Sequence, residues 1–539
     1  MATMSSPKAE PLSAFVSFPS PYTQSLLVQA LVSTLPSLAL SLAQPPEDQP
    51  PALQWADYDL MSFDIPHKNP SKYLISSYIY RKALIRKHQL HNTITAYLAK
   101  CSHRQIPSIL SPLPETYEGE TPLGGGAPKG WIVDIQFADE LDELLMDDLY
   151  ELDEGMRANE EKAEGEKRWW ILKPGFADRA QGIRMFSSEE ELRFIFAEFE
   201  PPSSDEEDDE GEDGDDESED GEEVPPGGMD GMIDMLAKKA VELGFNGEDE
   251  DDEEDGDEDE GTGVMTSQLR HFVIQEYLPR PLLFDIAQIP GEPPAPLEGN
   301  KFHLRAYVLV TGAYKVYLAN TMLALFSGEP YGPPKTTEDG DLDLRPHLTN
   351  TCLQTDAYGA PAPPADLVKL FWELEGLTAL SSSTSPSPSG SYAYDSHGSV
   401  TKEWLESTFA KVGEVVSETV KAGAECGSFG LQFMPNAFEI FGVDLILSFP
   451  PVSPANALPI PVVTLLEFNA SPDFHQSGDR LRPQLLDMFK GVIKHSIVPF
   501  FGVETTDKEE VSKENPMKVG EEKWGWRLVG EGEVRGSEW

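Results

Sequence analysis

Apolar and polar positions along the chain follow two periods, which predicts a protein built from both strands and helices. Helical spacing occurs in the segments 72–100, 139–156, 402–425 and 480–500, and Ser20 followed by Pro21 is typical of a helix start. Runs of β-branched and aromatic residues predict strands. These runs are "AFVSF", "WWILKP", "HFVIQEYL", "KFHLRAYVLV", "YKVYLAN", "FEIFGVDLIL" and "VVTLLEF". Mixed sheets with helices packed on them, an α/β (α+β) fold, are the expected architecture.

Changes in composition divide the chain into lobes and connecting segments. Two acidic runs flank a short apolar stripe in an insertion, and a further segment is rich in Ser and Pro. Such segments bury too little apolar surface to offset the entropy of ordering, so we expect them to be disordered. The predicted organisation is a disordered N-terminus (1–13), an N-terminal α/β lobe (14–128), a central lobe (129–300) with the insertion (201–262), a C-terminal lobe (301–503) with a flexible loop (380–399), and a tail (504–539).

The apolar stripe inside the insertion has two interpretations. Met232, Leu236, Ala240 and Leu243 lie at helical spacing. The stripe is either a transient helix in a linker or a helix that docks a protein partner.

The chain is strongly acidic, with a formal charge of −53. The runs 205–223 and 248–260 hold 15 and 12 acidic residues, which leaves an excess of about 26 negative charges elsewhere. Because like charges repel, we expect no membrane contact and no direct binding of duplex nucleic acid. Three cysteines without metal-ligand spacing, and a start without a secretion signal, predict a cytoplasmic protein.

Acidic and amide side chains occur inside two apolar strands. Glu467 and Asn469 are two positions apart and therefore share one strand face, and Asp444 lies inside an earlier strand. If the two strands are neighbours, the three side chains form an oxygen-donor site suited to Mg²⁺. The alternative is a strand-end acid beside an asparagine that opens a turn.

Cationic residues mark further strands. Lys173 ends an apolar strand before a glycine-bearing loop, an arrangement that suits phosphate binding. Lys301, His303 and Arg305 share one face of the strand "KFHLRAY", where they face either a phosphate chain or solvent. The segment "VIQEYL" offers Gln275 and a strand edge to a flat heterocycle.

The ordered motifs "ILKPGFADRAQGI", "VIQEYL", "KFHLRAYVLV", "HLTN", "FEIFGVDLIL" and "LLEFNASP" resemble the tubulin-tyrosine ligase-like family over roughly residues 70 to 500. The resemblance implies an ATP-grasp fold with a nucleotide cleft between the central and C-terminal lobes. It also implies ATP and Mg²⁺ as cofactors, and a reaction that joins a free amino acid to a protein or peptide carboxylate through an acyl phosphate.

When the roles of the family's motif residues are carried over to the matching positions, the resemblance implies a role for each site residue. Arg305 would be catalytic, and the metal ligands would be Asp444, Glu467 and Asn469. The nucleotide would contact Lys87, Lys173, Gln275, Glu276, Tyr277, Leu278, Lys301, His303, His347, Thr349 and Asn350.

Two residues depart from the family pattern. His303 stands where the family's strand usually carries Asp, which alters a contact near the sugar. Leu325 in "LALFSGEPY" stands where "LARFxxEPY" has an arginine aimed at the reacting phosphate. Loss of such a cation costs on the order of 10² to 10³ in rate. Arg345, close to the "HLTN" loop, is the candidate catalytic replacement.

These departures keep two functions open. The first is a carboxylate–amine ligase. The second is a catalytically weakened ATP-binding protein that acts as a scaffold in cytoplasmic RNA granules (P-bodies), with the acidic insertion contacting a protein partner. Tubulin is a poor acceptor on charge grounds, since its acidic tails meet an acidic chain. A basic cleft near Arg81, Lys82, Arg86 and Lys87 would offset that repulsion, and the solvated face of a helix is the alternative for these four residues.

Overall fold

The computed structural model describes residues 11–113, 123–135, 140–163, 166–175, 182–198, 271–278, 280–290, 296–336, 342–350, 353–354, 367–383, 392–450, 458–506 and 516–533. They belong to two compact units. The first comprises 1–130, 178–180 and 278–539, and the second comprises 131–177 and 181–277. The predicted insertion at 201–262 lies outside the described residues.

The first unit begins with a parallel four-stranded sheet in the order β2-β1-β3-β4. Its elements are β1 (Leu12–Ser17), α1 (Pro21–Thr34), β2 (Leu38–Ser41), β3 (Leu53–Ala56), α2 (Asp64–Lys68), β4 (Leu74–Ile75), α3 (Lys82–Ile85) and α4 (Lys87–Arg104). As predicted, Ser20 caps α1, its side chain accepting from the backbone N–H of Thr23 at 3.4 Å. The helix predicted over 72–100 is wrong in its first part, because Leu74 and Ile75 pair with β3 instead.

The second unit has a four-stranded sheet in the order β5-β8-β6-β7. Its elements are β5 (Gly130–Asp134), α5 (Leu141–Met146), α6 (Tyr150–Arg157), β6 (Trp170–Pro174), β7 (Arg184–Phe186), α7 (Glu189–Glu198) and β8 (His271–Glu276). The single acidic helix predicted over 139–156 is two helices, because the backbone of Asp147 (φ −125, ψ −93) is not helical. Trp170 and Leu172 share one core with side chains of the three helices.

A ten-stranded sheet completes the first unit. Its strands and the helices between them are β9 (Leu283–Phe284), β10 (Asn300–Thr311), β11 (Lys315–Pro330), β12 (Val368–Leu370), β13 (Thr378–Ser382), β14 (Tyr394–Ser399), α8 (Lys402–Cys426), β15 (Phe438–Ser448), β16 (Val462–Ala470), α9 (Arg482–Val492), α10 (Val498–Phe501), β17 (Glu522–Lys523) and β18 (Trp526–Glu531). A π-helical turn, Ile493–Ile497, joins α9 to α10.

Strand β10 separates two hydrophobic cores. Leu304 on one face packs in a core with Phe409 of α8. Leu309 on the opposite face shares a core with Leu27 of α1 and Phe489 of α9. Because α1 and α9 cover the same sheet face, residues predicted as separate N-terminal and C-terminal lobes lie in one unit.

Two segments predicted to be flexible contain strands. Within the loop predicted at 380–399, most of the described residues belong to the antiparallel pair β13–β14. Within the tail predicted from 504, β18 pairs with β11, and Trp526 is fully buried. The pair β13–β14 is hidden in the sequence because both strands are short and polar, whereas β18 is hidden because its partner β11 is distant in the chain. In the described part of the chain, no helix has the length and apolarity needed to span a bilayer.

Candidate functional site

Asp444, Glu467 and Asn469 lie side by side on neighbouring strands. Asp444 of β15 is directly opposite Glu467 of β16. The amide Nδ2 of Asn469 lies 3.2 Å from Asp444 Oδ2 and 3.3 Å from Glu467 Oε1. The two strands are therefore neighbours, which is the condition that the sequence analysis set for this site, and the two carboxylates and the amide form one cluster.

Arg305 of β10 binds the buried carboxylate of this cluster. It is opposite Asp444 in the strand register and donates two hydrogen bonds to it, from Nε to Oδ1 and from Nη2 to Oδ2, the latter at 3.0 Å. Burial alone would lower the pKa of Arg305, but attraction and hydrogen bonds from Asp444 raise it above the ordinary value. The guanidinium therefore stays charged.

Lys87 adds a second cation. Its Nζ, at the start of α4, lies 3.3 Å from Glu467 Oε2. The other members of its basic cluster differ in environment. Arg81 is ion-paired with the buried Glu439 at 3.0 Å and lies over the ring of Tyr58, whereas Lys82 is exposed. Because Arg81 and Lys87 are each ion-paired with an acid, the four residues do not form one solvated helix face.

The "HLTN" loop docks on the same strand face as Arg305. Lys301 Nζ donates to the carbonyl oxygen of His347 at 2.8 Å, and His303 Nδ1 lies 2.5 Å from Thr349 Oγ1. His303 Nε2 lies 3.8 Å from Asp444 Oδ1. Burial lowers the pKa of His303, and burial lowers the pKa of His347 to about 3, so both rings are neutral near pH 7. Asn350 continues this loop.

Leu325 is directly opposite His303 in the pairing of β10 with β11. Its side chain is buried and packs with Leu323 and Val368. The two departures from the family pattern thus form one cross-strand pair. This relation depends on strand register and was not visible in the sequence.

Arg345 is held by acids away from the cluster. Its guanidinium lies 3.0 Å from Glu329 and 3.0 Å from Asp343, and about half of its side chain is exposed. Its carbonyl oxygen accepts from Ser327 at 2.9 Å. No described contact joins Arg345 to Arg305 or Asp444, so its catalytic role stays a prediction.

The remaining predicted nucleotide residues belong to the second unit, except Leu278. Lys173 is buried, and β6 pairs with β8 so that Val273 is opposite Lys173. Gln275 is two positions further along β8 and shares this sheet face. Glu276 and Tyr277 follow, and their role also stays a prediction.

The donor set fits a magnesium ion. Carboxylate and amide oxygens are the hard ligands that Mg²⁺ prefers. The amide N–H₂ group of Asn469, which has a partial positive charge, lies between the two carboxylates. Rotation of this amide by 180° would place its oxygen, Oδ1, there instead. The described residues contain no group of three or more His, Cys, Asp or Glu suited to a metal.

The loop after Asn469 packs closely on the strands that carry the cluster, which the sequence analysis does not predict. Pro472 packs so close to Gly442 that a Cβ there would lie 2.8 Å from Pro472 Cβ and 3.2 Å from Arg305 Cδ. Phe474 stacks on Tyr307 at 5.1 Å. The glycine inside the buried strand "FEIFGVDLIL" was the available signal, because an interior glycine marks a close approach.

Three comparisons with known proteins agree. A family model described as "Tubulin-tyrosine ligase family" matches residues 138–379 and 393–505. A probable tubulin–tyrosine ligase of Schizosaccharomyces pombe is 30% identical over 97% of this chain and 100% of its own length. A probable tubulin–tyrosine ligase of Saccharomyces cerevisiae, PBY1, is 29% identical over 93% of this chain, which spans 54% of that relative. The crystal structure of the C-terminal domain of K. lactis Pby1, described as an ATP-grasp enzyme interacting with the mRNA decapping enzyme Dcp2, superposes with a TM-score of 0.52 and 26% identity, covering 94% of this chain and 100% of that one.

Proposed function

Because the chain belongs to the tubulin-tyrosine ligase family and has the ATP-grasp fold, we propose that it is an ATP-dependent carboxylate–amine ligase. It would join a free amino acid to a protein or peptide carboxylate. The observation that carries the proposal is the cluster of the buried Asp444 and the partly exposed Glu467 and Asn469 against Arg305.

Each residue of the cluster has a proposed role. Asp444, Glu467 and Asn469 would hold Mg²⁺, which supplies positive charge to the transferring phosphoryl group. Arg305 would orient Asp444 through its hydrogen bonds. Its guanidinium is already held in place, so it would not have to move during the reaction. The acceptor carboxylate would attack the γ-phosphate of ATP and release ADP, and the amine would then displace phosphate from the acyl carbon.

The Glu467→Gln variant tests the proposal. We expect MgATP-dependent release of ADP, in the presence of an amino acid and an acceptor, to fall at least about 10²-fold because one metal ligand loses its charge. Glu414→Gln is the matched control, since Glu414 is an exposed acid of α8 paired with Lys411. Undiminished ADP release in Glu467→Gln would exclude the metal assignment.

A second function is favoured by the described interaction of K. lactis Pby1 with Dcp2. In this alternative the chain binds MgATP without transfer and acts as a partner of the decapping machinery in cytoplasmic RNA granules. Calorimetry with MgATP beside the ADP-release assay separates the two functions. Binding without turnover, together with co-purification of the decapping enzyme, would support the second.

A further inference from the structure

A solvent-open pocket of about 780 Å³ lies in the first unit, beside the parallel sheet. Its lining includes Phe18 just after β1, Asp57 just after β3, and the loop from Ser471 to His475. Strand β1 has β2 on one side and β3 on the other, so the chain reverses its winding direction here. Open α/β sheets bind ligands at this switch point, beyond the carboxyl ends of the strands.

The pocket presents the guanidinium of Arg482, which makes no ion pair with a carboxylate of the described residues. Arg482 Nη2 donates to Ser25 Oγ at 2.6 Å, and the guanidinium lies 5.1 Å from the ring centroid of Tyr22. Over the described ranges of the chain, no carboxylate lies within ion-pair distance of Arg482. The remaining N–H groups of this fork suit a ligand carboxylate.

The same pocket also carries negative charge and apolar surface. Asp57 and Asp473 belong to its lining, as do Pro21, Pro472 and Phe474. A ligand with one carboxylate, one ammonium group and an apolar side chain matches all three features. The carboxyl terminus of a peptide matches less well, because it brings a negative charge to two acids without an ammonium group.

The geometry points to this pocket as a binding site for a free amino acid in its zwitterionic form, with Arg482 holding the carboxylate. The inference rests on the proposed function, in which that amino acid is the amine donor. Its location supports this, since Pro472 of the pocket wall and Arg305 of β10 both lie beside Gly442, and Phe474 of the same wall stacks on Tyr307 of β10.

The test is calorimetric titration of the full chain with each L-amino acid, then with the N-acetyl and methyl-ester derivatives of the tightest binder. We expect the free amino acid to bind, with an affinity about 10- to 100-fold lower in Arg482→Gln, because a charge-assisted hydrogen bond is lost. The ester lacks the carboxylate, so its weaker affinity should be the same in both proteins. Lys490→Gln, a change at a partly exposed position of the same helix outside the pocket lining, is the control and should bind like wild type.

Three outcomes would overturn the inference: no amino acid binds, Arg482→Gln binds as tightly as wild type, or the N-acetyl derivative binds as tightly as the free amino acid. The last would indicate a peptide carboxylate instead. Binding of MgATP and its dependence on Glu467 are measured separately. If no amino acid binds in the pocket, the ligase proposal can still be tested by the ADP assay. If the ligase proposal is wrong, the amino-acid titration still tests the pocket.

Discussion

At the scale of single residues, the decisive feature is a buried ion pair that also belongs to the proposed metal site. Arg305 and Asp444 have side chains only 12% and 5% exposed. Burying two charges is costly, and the pair is tolerated because each group satisfies the other. Removing one partner therefore affects stability as well as chemistry.

The Asp444→Asn variant should lower the free energy of unfolding by about 3 kcal/mol, because Arg305 is left as an uncompensated buried cation. Urea unfolding without added metal measures this. Replacing both residues, as Arg305→Met with Asp444→Leu, should recover most of the loss. Glu373→Gln is the contrasting control, since its pair with Arg480 is about 40% exposed and should cost under about 1 kcal/mol. Equal costs for the two acids would contradict the role assigned to burial.

At the scale of elements, the pairing of β10 with β11 joins the two unusual residues, His303 and Leu325. An aspartate and an arginine at these positions would face each other as an ion pair, whereas histidine and leucine pack without charge. A change at one position should therefore depend on the other.

Leu325→Arg alone should destabilise the protein by about 3 kcal/mol, because it buries a cation beside Lys301 and Arg305. Combined with His303→Asp, we expect at least half of that loss to be recovered and ADP release to rise about 10²-fold. Thermal unfolding and the ADP assay on all four proteins give the coupling. Additive effects on stability would show that the two residues do not interact.

His495, in the π-helical turn, should make the stability of the protein depend on pH. His495 packs against Tyr317 and Trp524, and its Nε2 lies 3.0 Å from the carbonyl oxygen of Lys523. Burial lowers the pKa of His495 to about 4 from the ordinary 6.5. The unfolded chain therefore takes up a proton that the folded protein resists. The contribution of the neutral His495 ring to the free energy of unfolding is therefore present above pH 6.5 and is lost as pH falls toward 4.

Between pH 7 and pH 5 this histidine should account for a loss of about 2 kcal/mol in the free energy of unfolding. His495→Phe should lose that much less over the same interval, as measured by urea unfolding at both pH values. His103→Phe, a change at an exposed position, should keep the wild-type pH dependence. A His495→Phe curve parallel to wild type would show that the ring titrates normally in the folded protein.

At the scale of the whole molecule, the sequence predicts the fold class and the family, and the comparisons confirm both. Local patterns were sufficient for α1 and α8, whose caps and apolar spacing lie within each segment. They were insufficient for the link between Arg305 and Asp444, which depends on pairing between strands that are distant in the chain. The same limit explains why the sequence predicts a tail where β18 lies, since its partner β11 is far upstream. The sequence pattern predicts a helix at Leu74 and Ile75 because a two-residue strand has no periodicity of its own.

The core shared by α1 and α9 has a consequence for biosynthesis. The apolar side of α1, including Leu27 and Leu31, is covered by residues such as Leu485 and Phe489. A ribosome adding about 5 to 20 residues per second would make this helix roughly 20 to 90 s before its covering helix emerges. Throughout that interval the apolar face of α1 is exposed on the nascent chain. We therefore expect folding to require chaperones that bind apolar segments during translation.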